Sequence, residues 1–340
     1  MTPRENVMAI LDREQPDAYI DIISALVILP DPQMLSGGRP PEGGGEYLDN
    51  WGVTYSWVPG APGSHPHVTP ENAVIKDISK WKESVKFPSL ENLDWGPAKK
   101  VSDGVDRREK MTCIMFGGGL FERSHHLQGI QTALENYMWE PEYTAELLRA
   151  IADWKIEYIR QMGREVHPDI IFYHDDWGNK QNLFLPPRVW RELIKPLQKE
   201  IADAIHEAGM IYMHHADCIC EPIVEDMVEI GVDIWQGAIA QNNIVKIQEV
   251  TEGRLAIAGG IDGPAIDTPY TTEEEIRAEV HRAMDTYLPR GRFFPGIPNG
   301  VCFRKENDRI EKEECEIYGR QWALDHPILE KGGLPTNCNI

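Results

Sequence analysis

Positive charge is scarce in this chain. Lysine and arginine number 34 against 55 aspartates and glutamates, a formal net charge of -21 over 340 residues. A surface that acidic repels phosphate backbones and anionic membranes, which argues against nucleic acid or a membrane as partner. It also weighs against a polyanionic substrate unless a local basic pocket overrides the global field. No run of about 18 apolar residues occurs, so no membrane-spanning helix is expected. The opening Met1-Thr2-Pro3-Arg4-Glu5-Asn6 leads into a charged amphipathic segment without the apolar core of a secretory leader. No Gly-x-Gly-x-x-Gly follows a candidate strand, and the glycines 117–119 lack that spacing, so no dinucleotide crevice is indicated. Cysteine is sparse: the six thiols read as reduced, which gives a cytoplasmic expectation.

What is present is an ordinary globular composition, 41% hydrophobic and 26% charged, enough to bury a full core. The length allows two ordinary domains or one large α/β barrel. Residues 2–14 read as a short helix capped by Thr2 with Pro3 at its first position. Residues 18–27 are β-branched and apolar, a first strand or a strand–helix junction. Residues 30–75 hold many Gly and Pro with aromatic anchors Trp51, Tyr55 and Trp57, and read as an irregular insertion covering an active site. Beyond residue 105 the pattern is regular. Strands are predicted at 111–117, 169–173, 210–213, 233–235, 255–258 and 292–294. Helices are predicted at 132–137, 141–162, 187–208, 221–230, 244–251 and 272–287. Short strands alternating with longer helices indicate parallel βα units. Seven strands are recognisable, and an eighth would complete a closed (β/α)8 TIM barrel, expected as one domain over 1–340.

In such a barrel, function gathers at the carboxyl ends of the strands. Those positions carry Glu122-Arg123-Ser124-His125-His126, then His174-Asp175-Asp176-Trp177, then His214-His215-Ala216-Asp217-Cys218-Ile219-Cys220, then Gln236, then Asp262. Acid, imidazole and thiol groups converging from separate strands suit a borderline divalent metal such as zinc. His215 and Asp217, two apart on an extended strand end, point the same way; with Cys220 they form the expected ligand set. Asp175, Asp176, Glu122 and His174 are the candidate acid–base groups. Trp177, Arg123, His126, Gln236 and Asp262 are the candidate substrate contacts. Each has a plainer alternative: a strand-end histidine is often a hydrogen-bonded loop residue, and the cysteines fit as small buried side chains. Asp175 or Asp176 fits as a cap, Glu122-Arg123 as an internal ion pair, and Asp262 as a turn residue.

Several stretches together resemble the uroporphyrinogen decarboxylase superfamily, particularly its corrinoid-dependent methyltransferase branch. They are Met1-Thr2-Pro3-Arg4-Glu5, Asp49-Asn50-Trp51-Gly52-Val53, Phe121-Glu122-Arg123 with Leu127-Gln128-Gly129, and Asp175-Asp176-Trp177-Gly178. Further matches are Leu185 through Glu192, His215 leading to Pro222-Ile223, Glu229 through Asp233, and Gly259-Gly260-Ile261-Asp262. The resemblance implies the same (β/α)8 barrel. Decarboxylases of the superfamily carry an N-terminal arginine-rich segment that grips porphyrinogen carboxylates. Here that region reads Leu29-Pro30-Asp31-Pro32-Gln33-Met34 with only Arg39 nearby, so porphyrinogen decarboxylation is not expected. The zinc methyltransferases use His-x-Cys after this strand and another cysteine after the last one. This chain has His215-Ala216-Asp217 and Gly296-Ile297 instead, which implies an altered, harder ligand set joined by Glu122 or Asp176.

The resemblance therefore implies methyl transfer between a small methyl ether or amine and a corrinoid carried by a separate protein in trans, with a divalent metal such as zinc, or a protonated acid, polarising the leaving heteroatom. Barrels of this kind often pair through helix faces, so a homodimer is one expectation. The alternative is a metal-free decarboxylase or lyase acting on a small carboxylic acid through Asp175 or Asp176. A non-catalytic ligand-binding barrel is disfavoured, because its strand-end acids and imidazoles would have no reason to persist.

Overall fold

The computed structural model describes residues 1–37, 43–59, 63–300 and 302–338; Arg39 lies outside them. Helix α1 (Pro3–Leu11) carries the expected Thr2 cap, completed as a capping box by Glu5. The first strand is shorter than the apolar run. Asp21 accepts the Ile23 N–H and winds Ile22–Ala25 into a 3-10 turn, leaving only β1 (Leu26–Ile28) extended. Among its described residues the insertion holds short ordered elements. It contains α2 (Pro32–Ser36) and an antiparallel sheet of β2 (Gly45–Leu48), β3 (Thr54–Trp57) and β4 (His65–Pro66), with Tyr47 paired to Tyr55. Trp51, between the first two strands, is buried edge-on against Phe87 and Trp154 at ring separations of 5.2 and 4.9 Å.

After α3 (Trp81–Ser84) and α4 (Gly96–Asp103), the βα alternation begins with β5 (Met111–Phe116), α5 (Leu120–His126), α6 (Ile130–Trp139) and α7 (Pro141–Glu165). It continues through β6 (Ile170–His174), α8 (Pro187–Leu193), α9 (Lys195–Glu207), β7 (Ile211–His215), α10 (Val224–Ile230) and β8 (Ile234–Ala238). The last elements are α11 (Ile244–Val250), β9 (Ala256–Gly260), α12 (Gly263–Ile266), α13 (Glu273–Tyr287), β10 (Phe293–Gly296) and α14 (Lys305–Asp325). The expected single helix 187–208 divides at Ile194, because Pro196 has no N–H to continue the ladder.

Seven strands form one parallel sheet in the order β1-β5-β6-β7-β8-β9-β10. It curls into a (β/α)8-type barrel flanked by helices. Strands such as Ile170–Tyr173 and Ile234–Ala238 are buried throughout, as parallel strands covered on both faces must be. Among the described residues no eighth strand joins β10 to β1. The 3-10 turn packs on β10 instead, with Asp21 against Gly296. Helix α14 then crosses the N-terminal segment at Tyr19, whose ring meets Trp322 edge-on at 5.3 Å.

Candidate active site at the strand ends

The segment after β5, which carries Glu122, Arg123 and His126, is helix α5. Its first turn is built on Asp175, whose carboxylate accepts the N–H groups of Glu122 (2.8 Å) and Phe121 (3.1 Å) and the Trp177 indole N–H (3.1 Å). A carboxylate at a helix N-terminus satisfies otherwise orphaned donors and complements the helix dipole. The approach is close: a Cβ on Gly119 would lie 2.2 Å from the Asp175 Cβ. Burial and the Glu122 charge push the Asp175 carboxyl up to about 7, against the pull of the two backbone donors. Asp175 is thus the fully buried bracket of α5 and is occupied by backbone.

His174 and His215 end neighbouring strands at the same register, and their rings stack 4.4 Å apart at 26°. With Asp176 they offer three ligand atoms all within 4.8 Å of one another. Each imidazole has an outer partner. Gln236 donates its amide N–H to the Pro298 carbonyl (2.9 Å), which turns its amide oxygen toward His215 as the acceptor for Nδ1–H. The Glu122 carboxylate accepts Nδ1–H of His174 at 3.0 Å. In both rings this leaves Nε2 for a ligand. An imidazole held at one nitrogen by a carboxylate or amide is the usual second layer of a protein metal site.

The two rings carry different charge. Burial and the neighbouring His174 charge press His215 down to about 4, so it is neutral. Burial disfavours the His174 cation too, but the Glu122 carboxylate overcomes this and lifts it to about 9. Burial would raise Glu122; the adjacent imidazoles, His174 first, hold it at about 2 instead. Burial and the Glu122 charge push Asp176 up to about 7. Two imidazole nitrogens and a carboxylate oxygen suit zinc or a similar divalent ion, and three protein ligands are typical of catalytic rather than structural sites. The residues present therefore fit a metal, which would displace the His174 proton.

The structure does not gather Asp217 and Cys220 with His215. The Asp217 carboxylate pairs with Lys180 at 2.7 Å, while its N–H donates to Asp176 Oδ1 at 3.0 Å. Cys220 is buried with its sulfur 3.5 Å from that of Cys218, and that contact and burial push its thiol well above the ordinary range. It is a protonated core thiol. Trp177 is buried too, stacked on His214 at 4.0 Å and packed on Trp190 at 4.9 Å, so it supports the site from beneath. Gln236 orients His215 instead of facing outward. Asp262 caps α12 through the Ala265 N–H at 3.3 Å. Arg123 is buried, pairs with Asp49 of the insertion at 2.7 Å and lies 4.9 Å over the Trp51 ring. His126, three residues on, is buried beside Tyr55.

One buried residue escapes a sequence reading centred on strand ends. Lys155 of α7 donates to the Gly118 carbonyl at 2.7 Å and lies 4.2 Å from the Phe116 ring centre, beneath the turn that begins α5. Its signal is a lysine on the apolar stripe Leu148, Ile151, Ala152 and Ile159. His214 is locked from both sides. Its Nε2–H donates to the Asp175 carbonyl (3.1 Å), and its Nδ1 accepts from the Tyr212 hydroxyl (2.8 Å), which itself accepts from Gln198.

Compared with known proteins, residues 48–296 match the sequence model of the family described as Uroporphyrinogen decarboxylase (URO-D). A solved structure, a methyltransferase from Methanosarcina mazei, superposes with a TM-score of 0.64 over 94% of this chain and 98% of that one, at 15% identity; the likeness is one of fold. The curated 5-hydroxymethyl-dUMP N-hydrolase of Mus musculus is 24% identical over 90 residues. That match covers 26% of this chain and only about half, 52%, of the relative's own length. With a match over most of its length, the chain belongs to the uroporphyrinogen decarboxylase family.

Proposed function

We propose that this protein is a metal-assisted methyltransferase moving a methyl group between a small methyl ether or methylamine-type substrate and a corrinoid carried by a separate protein. The observation that carries the reading is the stacked pair His174 and His215 beside Asp176, each ring held at Nδ1 by an outer partner. Family membership and a methyltransferase of the same fold support it. His174, His215 and Asp176 would hold the ion through two nitrogens and a carboxylate. A divalent ion there supplies Lewis acidity that stabilises charge on the heteroatom losing its methyl group. Glu122 and Gln236 keep the Nδ1 protons in place and so fix both ring orientations. Asp49 ties the insertion to α5 through Arg123, and a segment held there would exclude water from the reacting atoms.

A second reading is favoured by the raised carboxyl of Asp176, at about 7, beside the protonated His174. Both are proton donors near neutral pH, which suits metal-free acid–base chemistry on a small carboxylic acid. The two separate by experiment. The protein is loaded with zinc and given reduced cobalamin and a panel of methyl ethers and methylamines, with methylcobalamin followed by absorbance. Methyl transfer that requires zinc and disappears in His174→Ala supports the first reading. Carbon dioxide release from carboxylic acids by the chelator-treated protein, with no methyl transfer, replaces it with the second.

A further inference from the structure

Buried polar nitrogens in folded proteins nearly always have partners. Two that do not stand one turn apart on α5. Arg123 Nε and His126 Nδ1 are shielded from solvent and make no hydrogen bond, although both residues are more than nine-tenths buried. Residues three apart on a helix are neighbours on one face. The Asp49 pair occupies only Nη1 of the Arg123 guanidinium. This leaves free the Nε/Nη2 edge, whose two parallel N–H groups match the two oxygens of a carboxylate. The guanidinium is held in place by the Trp51 ring and by Gly118, where a Cβ would come within 2.9 Å of Nη2. Its neighbour on the chain, Glu122, is bound to His174, so α5 joins this edge directly to the candidate metal group.

We propose that Arg123 and His126 form a subsite for a carboxylate on the small substrate, Arg123 through its Nε/Nη2 edge and His126 through Nδ1–H. This rests on the methyl-transfer reading for what happens at the other end of the substrate. Neither nearby acid occupies the free edge, because Asp49 engages only Nη1 and Glu122 is turned to His174. The neutral His126 ring, pressed well below its ordinary range by burial, offers one N–H without adding charge. The substrate class is thus a methylated compound bearing one carboxylate, recognised locally in spite of the acidic surface.

The test is calorimetric binding of two anion and alcohol pairs, methoxyacetate with 2-methoxyethanol and benzoate with benzyl alcohol, to the full chain. At least one carboxylate binds the wild type about tenfold or more tightly than its alcohol, the size of effect given by a charge-assisted pair. Arg123→Lys keeps a cation for Asp49 but lacks the two-pronged edge, and His126→Asn leaves the Asp49 pair intact. Both variants keep the melting temperature near wild type and lose the carboxylate preference. Equal binding of acids and alcohols by the wild type, or a preference that survives both variants, overturns the proposal. Carboxylate binding through Arg123 without methyl transfer from any donor would leave the subsite standing and remove the methyl-transfer reading. Methyl transfer from alcohols and acids alike would do the reverse.

Discussion

His174 and His215 stack at the ends of adjacent strands, yet their surroundings hold them in opposite protonation states. Glu122 draws a proton onto the first, and burial with the Gln236 amide keeps the second neutral. Replacing Gln236 by Leu frees the His215 ring to turn, so zinc affinity should fall about 10- to 100-fold in a chelator-competition titration while the fold is retained. The Glu122–His174 pair also has a pH signature. Glu122 is depressed below its ordinary 4.5, so its contribution is complete above about 4.5 and lost as pH falls toward about 2. His174 is raised above 6.5, so its contribution is complete below about 6.5 and lost as pH rises through about 9. Glu122→Gln should therefore lower the melting temperature of metal-free protein most between pH 4.5 and 6.5, with the gap closing toward pH 9. The site was half legible in the sequence. His215, His174 and Asp176 stand out as strand-end residues, but their meeting depends on strand register. A single stretch instead favours His215 with Asp217, whose carboxylate the structure gives to Lys180.

At the scale of elements, strands were the most legible, because β-branched runs such as Ile170-Ile171 belong to a sheet buried on both faces. Helix α5 was not, since Leu120-Phe121-Glu122-Arg123-Ser124-His125-His126 buries its polar side chains along with its apolar ones and shows no apolar period. Helix α14 was missed for the same reason: its buried stripe includes Asn307, Glu311, Glu314 and Gly319. The sheet inside the insertion was hidden by its short strands and surrounding Gly and Pro. Helix α5 hangs on the contact between Gly119 and Asp175, so Gly119→Ala forces them apart. Thermal unfolding should show a loss of about 1–3 kcal/mol, accompanied by weaker zinc binding as Glu122 moves from His174.

Across the whole molecule, the barrel is fastened where the chain ends meet. A Cβ on Gly319 would lie 1.9 Å from the Tyr19 carbonyl oxygen, so α14 rests directly on N-terminal backbone. Gln15 binds it further along, donating to the Ala323 carbonyl at 3.1 Å. Gly319→Ala should destabilise the protein by on the order of 3 kcal/mol in denaturant titration, with little change in the local spectroscopy of a bound metal in the fraction that stays folded. No helix among the described residues is long and apolar enough to cross a membrane. Among the described residues, His174, Asp176 and His215 gather at the strand-end mouth. The most direct test of its assignment is metal content, measured on wild type, His174→Ala, His215→Ala and Asp217→Ala after zinc loading and desalting. About one zinc per chain in wild type and Asp217→Ala, and none in the histidine variants, is the predicted result. No zinc in wild type, or zinc lost from Asp217→Ala and kept by His174→Ala, would contradict it.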